Sequence, residues 1–129
     1  MRFLKAVFSV AVVMLVLDLA WIGLVAAPLY DRALGPLKAP SVNGMAAGIF
    51  YLFYVSCTVF YGVLPSKDWK EALQRGAGMG LVAYGTWDLT NWAVLRDFPA
   101  WIVPIDMTWG IFLTATCAGV GRAVAGPPT

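Results

Sequence analysis

Four apolar windows, separated by short polar breaks, set the strongest limit on what this 129-residue chain can fold into. A helix that crosses a bilayer needs about 20 mainly apolar residues, and the windows at about 3–29, 44–64, 74–95 and 101–124 have that length. Only 12% of the residues are charged, against about 25% in ordinary soluble domains. The sequence therefore predicts an all-α integral membrane protein: an antiparallel bundle of four transmembrane helices in a single domain, residues 1–129.

Positively charged residues predict the orientation of this bundle. Six lysines and arginines flank one predicted side and three flank the other. Because cytoplasmic loops are enriched in these residues, we predict that the side with six is cytoplasmic and that both termini are inside. The first group is Arg2, Lys5, Lys67, Lys70, Arg75 and Arg122, and the second is Arg32, Lys38 and Arg96.

The first window shares features with a secretory signal peptide, namely a basic start and small residues at VAAP. The apolar part of a signal peptide has about 7–15 residues and no charge, whereas this run has about 25 residues and contains Asp18. We therefore expect a retained helix. The later segment PSKDWKEALQR, residues 65–75, predicts a short amphipathic connection on the cytoplasmic surface.

Three aspartates inside the apolar windows are the candidates for a functional site. With the predicted orientation, Asp18, Asp88 and Asp106 all lie in the outer half of the bilayer. An aspartate at the centre of a spanning helix costs about 2.5–3.5 kcal/mol on insertion scales, so such residues are rare and usually face the bundle interior at ion or proton sites. At about 100° per residue, the predicted inward faces also carry Tyr84, Trp87, Asn91, Trp109 and Trp21.

Structural roles are the alternative for these acids. Asp106 follows Pro104, and a carboxylate in the first turn of a helix satisfies free N–H groups, so capping is an equal alternative for Asp106. For Asp18 and Asp88 the alternative is a hydrogen-bond network, worth about 0.6–2 kcal/mol per contact. Because three buried acids cost more than such contacts return, we favour a functional role for Asp18 and Asp88.

The leading functional hypothesis follows from convergence of the three carboxyls, since burial and mutual repulsion favour shared protons. Such a site binds or passes protons or a small cationic or amphipathic ligand, with Trp21, Trp87 and Trp109 offering ring faces to a cation. A second hypothesis is a lipid-acting membrane enzyme, or accessory enzyme, that uses a protonated aspartate as general acid. A third is an interaction subunit of a larger membrane complex.

Other residue types narrow the chemistry. The chain contains no histidine, and its two cysteines, Cys57 and Cys117, lie in apolar segments without metal-ligand spacing. The sequence therefore predicts no metal and no cofactor, and it leaves open whether a lipid, quinone or pigment binds. A net charge of +2 in short clusters argues against nucleic acid. The expected partners are the lipid bilayer and either a second copy in a homodimer or a larger membrane complex.

Small and aromatic residues predict helix packing. The GxxxG spacing at 76–80 and 44–48 predicts close approach of helix backbones. An aromatic stripe in the second window is typical of packing or lipid contact, and a ligand or pigment pocket is the less favoured interpretation. This stripe contains Phe50, Tyr54, Cys57 and Tyr61, with Phe53 and Phe60 beside it.

The chain resembles a family of small bacterial predicted membrane proteins, domain of unknown function 2177. The resemblance rests on the stretches LDLAWIG, YLFYVSCTVFY, GLVAYGTWDLTNWAVLRDFP and DMTWGIFL, of which the third is the most specific, and it covers essentially the whole chain. It implies a bacterial inner-membrane protein with four spans. It implies no activity and no catalytic residue.

Overall fold

The computed structural model describes residues 1–37, 41 and 43–128, and all regular structure within them is helical. Three of the described helices are long and apolar enough to cross a membrane: α1, Arg2–Leu37; α2, Gly44–Val63; and α4, Ile102–Ala125. Between α2 and α4 lies α3, Trp69–Val94, with 26 residues. At about 1.5 Å per residue α3 is also long enough to span, but its polar first turns and many glycines make it less apolar.

Helix α4 lies at the centre of the bundle, with α3 and α1 packed along it. The end of α2, Thr58–Val63, which is π-helical, reaches α1, α3 and α4. Val10, Val59, Leu113 and Cys117 are fully buried in the resulting core. The first part of α2 is mostly exposed, which suits a helix that faces lipid.

Glycines on α3 allow its close contact with α4. A Cβ atom at Gly76 would collide with the backbone at Thr114, and one at Gly80 would collide with the backbone of Gly110. The predicted helix contact at 76–80 is therefore confirmed. The predicted contact at 44–48 is wrong for the described residues, since a Cβ at either glycine meets nothing within 4 Å. The reason is that this part of α2 diverges from α3 and α4.

Helix α1 is longer than the predicted window and changes register within it. The α-helical segment Arg2–Trp21 passes into a π-helical segment, Ile22–Ala26, before α-helix resumes. One extra residue in a π-turn rotates everything beyond it by about one helical step of 100°. In a regular helix Tyr30 would lie about 120° from Asp18, whereas after the insertion the angle is about 20°. The π-segment therefore turns Tyr30 towards the face that carries Asp18.

The start of α3 corrects the predicted surface connection at 65–75. Asp68 caps α3, because its Oδ1 accepts the Glu71 N–H at 2.8 Å, and the Lys67 N–H donates to Glu71 Oε2 at 2.8 Å. Trp69 and the residues after it are therefore the first turns of a long helix. The Lys67 N–H, together with the Arg75 guanidinium, holds the pKa of Glu71 below its usual range.

Two buried or half-buried arginines mark one end of the bundle, called here the arginine end. Arg2 Nε donates to the Gly126 carbonyl at 3.0 Å, which brings the two ends of the chain together. Arg122 donates from Nε to the Ser66 carbonyl at 2.9 Å and from Nη2 to the Lys67 carbonyl at 2.5 Å. These bonds satisfy carbonyls just beyond the end of α2.

Candidate functional site

Two aspartates meet at the opposite end of the bundle, called here the acidic end. Asp88 lies near the end of α3 and is fully buried, and Asp106 lies near the start of α4 and is 6% exposed. Their carboxyls lie within hydrogen-bonding reach of each other. No N–H or O–H donor from another described side chain or backbone reaches either carboxyl oxygen of Asp88, unless Asp106 carries a proton. Buried polar atoms in native proteins nearly always have a partner, so Asp88 needs an explanation.

Asp106 has a partner on another helix. The hydroxyl of Tyr30, on the extension of α1, donates a hydrogen bond to Asp106 Oδ1. Asp106 is the fifth residue of α4, counted from Ile102, and the N-cap position, Trp101, makes no side-chain hydrogen bond. The carboxyl of Asp106 therefore faces α1 and α3 and is not a cap of its own helix.

Asp18 lies apart from this pair. It is half-buried on α1, and the indole N–H of Trp109 lies within hydrogen-bonding reach of its carboxyl. Tyr84 lies near both Asp18 and Asp106. The structure thus brings two of the three predicted carboxyls together and keeps Asp18 apart from them.

An open cleft of about 470 Å³ lies beside the pair. Its walls are mainly aromatic, and Asp106 is the acidic residue that reaches into it. Trp87 is 46% exposed and packs edge-on against Phe98, with ring centroids 6.0 Å apart. The lining consists of Tyr30 and Leu34 from α1, Phe50 from α2, Ala83, Tyr84 and Trp87 from α3, and Asp106 from α4.

The other predicted site residues lie outside this cleft. Trp21 and Trp109 stack on each other with centroids 4.5 Å apart and an interplanar angle of 5°, so each ring covers one face of the other. Asn91 is half-buried one turn beyond Asp88, and no hydrogen bond or ring contact joins it to the described residues of the pair. Among the residues that the structure describes, no three acidic or thiol side chains come together as metal ligands.

Sequence reasoning missed four residues that line the cleft, Tyr30, Leu34, Phe50 and Ala83. Tyr30 lies just beyond the first predicted window, which ends at residue 29, and its direction depends on a π-segment, Ile22–Ala26, that a regular helix does not contain. Phe50 was assigned to the aromatic stripe, where it stacks on Tyr54 with centroids 5.4 Å apart. The aromatic stripe was the sequence signal for Phe50. In the structure the stripe leads to the cleft, because Tyr54 contacts Tyr84 edge-on with centroids 6.2 Å apart.

Comparison with family models identifies the family of this chain. No curated protein and no solved structure matches the chain. The family model described as "Predicted membrane protein (DUF2177)" matches residues 3–123, which is nearly all of the 129 residues. The chain therefore belongs to this family of predicted membrane proteins.

Proposed function

We propose that this membrane protein binds or passes protons or a small cationic or amphipathic ligand at its acidic end. The observation that carries the proposal is the fully buried carboxyl of Asp88, which has no donor among the described residues and lies beside a second carboxyl. A structural carboxylate at this depth would be expected to have donors. Among the described residues, the polar side chain that reaches the carboxyl of Asp88 is a second carboxyl, that of Asp106.

A proton shared between Asp88 and Asp106 removes the repulsion between the two carboxyls and gives Asp88 a hydrogen-bond partner. Two ionised carboxyls in a low-dielectric interior repel each other, so one of them holds a proton and donates it to the other. Tyr30 already donates to Asp106, whereas no donor among the described residues reaches Asp88. The proton is therefore assigned to Asp88, and the pair carries one negative charge that a second proton or a cation neutralises.

The proposal includes four spans with both termini in the cytoplasm of a bacterial inner membrane. The hydrogen bond from Arg2 to Gly126 supports an even number of crossings, because it holds both ends of the chain on one side of the bundle. The charge bias adds support, since the arginine end also carries Lys5, Lys67 and Lys70. Lys38, which was counted for the outer side, lies outside the described residues.

The test of the proton site is infrared spectroscopy of the protein reconstituted in lipid bilayers. Wild type is expected to show the C=O stretch of a protonated carboxyl near neutral pH, and Asp88→Asn is expected to lose it. Asp97→Asn is the matched control, since Asp97 is exposed and has a φ of 59°, a conformation that asparagine also adopts. A wild-type spectrum without this band, or a band that persists in Asp88→Asn, would contradict the proposal.

A further inference from the structure

The cleft beside Asp106 opens through the side of the bundle. Helix α2 approaches α3 through Thr58–Val63, whereas the Gly44–Cys57 part of α2, all of it described, makes no close backbone contact with Trp69–Val94. The two helices therefore meet near the arginine end and separate towards the acidic end. Phe50 on α2 and Trp87 on α3 line the cleft and are 57% and 46% exposed.

The opening lies at a depth where a bilayer is apolar. Phe50 is six residues after the start of α2, and Trp87 is seven residues before the end of α3. At 1.5 Å per residue both lie about 9–11 Å below the ends of their helices, within a hydrocarbon core of about 30 Å. A ligand that passes between them comes from the lipid phase.

The walls and the charge define the ligand. Phe50, Tyr84 and Trp87 present aromatic rings, and aromatic faces attract organic cations, most strongly where water is excluded. The carboxyl pair, with its shared proton, has one negative charge to neutralise. A dication would leave an uncompensated charge in the membrane, and an anion would be repelled.

We propose that the cleft binds a lipophilic organic cation with a single positive charge, which enters from the bilayer between α2 and α3 and pairs with Asp106. This inference rests on the proposed function, because the single negative charge comes from the shared proton. It adds the ligand class and the route of entry.

Three probe ions test separately whether binding needs a positive charge and whether it needs lipophilic groups. Tetraphenylphosphonium is lipophilic and monocationic, tetraphenylborate has the same shape with the opposite charge, and tetramethylammonium has the same charge without lipophilic groups. Equilibrium dialysis against protein in lipid nanodiscs, with empty nanodiscs subtracted, should show saturable binding of tetraphenylphosphonium only. Saturable tetraphenylborate binding, or equal binding of tetramethylammonium, would overturn the ligand class.

Two variants test the site. Asp106→Asn should weaken tetraphenylphosphonium binding by more than about tenfold, the factor that corresponds to 1.4 kcal/mol. Ala83→Leu fills the cleft without removing a polar group and should also abolish binding, whereas Ala93→Leu, at an exposed position on the same helix, should not. Unchanged binding in Ala83→Leu would overturn the site even if Asp106→Asn fails to fold.

A pair of tryptophan replacements tests whether the ligand binds at the acidic end. Trp87→Leu should weaken binding about threefold to tenfold through loss of a ring face. Trp69→Leu, at a similarly exposed tryptophan of α3 in its first turn, should leave binding unchanged. Equal effects of the two replacements would overturn binding at the acidic end. If wild type shows the Asp88-dependent infrared band but does not bind tetraphenylphosphonium, this inference alone is overturned. If wild type does not show the band, the proposed function is overturned as well.

Discussion

The two ends of the bundle each bury an ionisable side chain, and they treat it in opposite ways. At the arginine end, Arg122 is 6% exposed and donates to two backbone carbonyls. At the acidic end, Asp88 is fully buried and has no donor among the described residues. The two side chains are similarly inaccessible to solvent, but only one has its hydrogen bonds satisfied within the chain.

This difference separates two reasons for burying a charge. Arg122 replaces the missing helical N–H groups beyond the end of α2, which is a structural task that the fold needs. Asp88 contributes no bond to the backbone, and its burial brings its carboxyl against a second carboxyl instead of a donor from the fold. Burial alone is therefore poor evidence of function in this molecule. An unsatisfied buried group beside an open cleft is better evidence.

The largest expected effect on stability is at the arginine end. Arg122→Leu removes two charge-assisted hydrogen bonds and leaves the carbonyls of Ser66 and Lys67 without their donor. We expect the free energy of unfolding to fall by about 2–4 kcal/mol. The measurement is reversible unfolding in mixed detergent micelles, with the infrared band of Asp88 as a second observable that should persist in the folded protein.

Arg75→Leu is the control for this variant. Arg75 is exposed and pairs with Glu71 at 3.2 Å, and exposed ion pairs contribute about 0–1 kcal/mol. If both replacements changed stability equally, the buried bonds of Arg122 would have no special structural weight, and the comparison between the two ends would fail.

A smaller effect is expected where α3 and α4 touch. Gly80→Ala forces a methyl group against the backbone of Gly110, so the helices must separate at a cost of about 1–3 kcal/mol. Gly48→Ala meets open space and should leave stability unchanged or raise it by up to about 1 kcal/mol, because alanine is the better helix former. Destabilisation by Gly48→Ala would indicate that α2 packs against another molecule, such as a second copy.

Much of the fold could be predicted from the sequence, because hydrophobic length and glycine spacing are local properties. The positions of Asp88 and Asp106 along their helices could also be predicted, since each follows from counting residues from a helix end. The role of Arg122 could not, because its partners are carbonyls of a distant segment and carbonyls leave no mark in a sequence. Tyr30 was missed because a π-segment changes the register of α1, and neither Gly23 within that segment nor Pro28 just after it specifies a π-turn by itself.

Tyr30 offers a way to sharpen the comparison at the acidic end. Tyr30→Phe removes the donor to Asp106 and preserves the ring that lines the cleft. We expect a loss of about 1 kcal/mol in unfolding free energy, the usual net value of one hydrogen bond. Tetraphenylphosphonium binding should persist, because the ring of Tyr30 and the carboxyl of Asp106 both remain at the cleft. An unchanged unfolding free energy would show that the hydroxyl does not act on Asp106.

The smallest effect on stability is expected at the most deeply buried acid. Asp88→Asn keeps the shape of the side chain, and its amide N–H can donate to Asp106 as the shared proton does. We therefore expect the unfolding free energy to change by less than about 1 kcal/mol, in either direction. Unfolding in the same detergent series as Arg122→Leu measures this change. A loss as large as that of Arg122→Leu would show that Asp88 also serves the fold, and the difference between the two ends would no longer point to a functional site. A small change combined with loss of the infrared band would instead indicate a buried acid that the fold does not need and that proton binding requires.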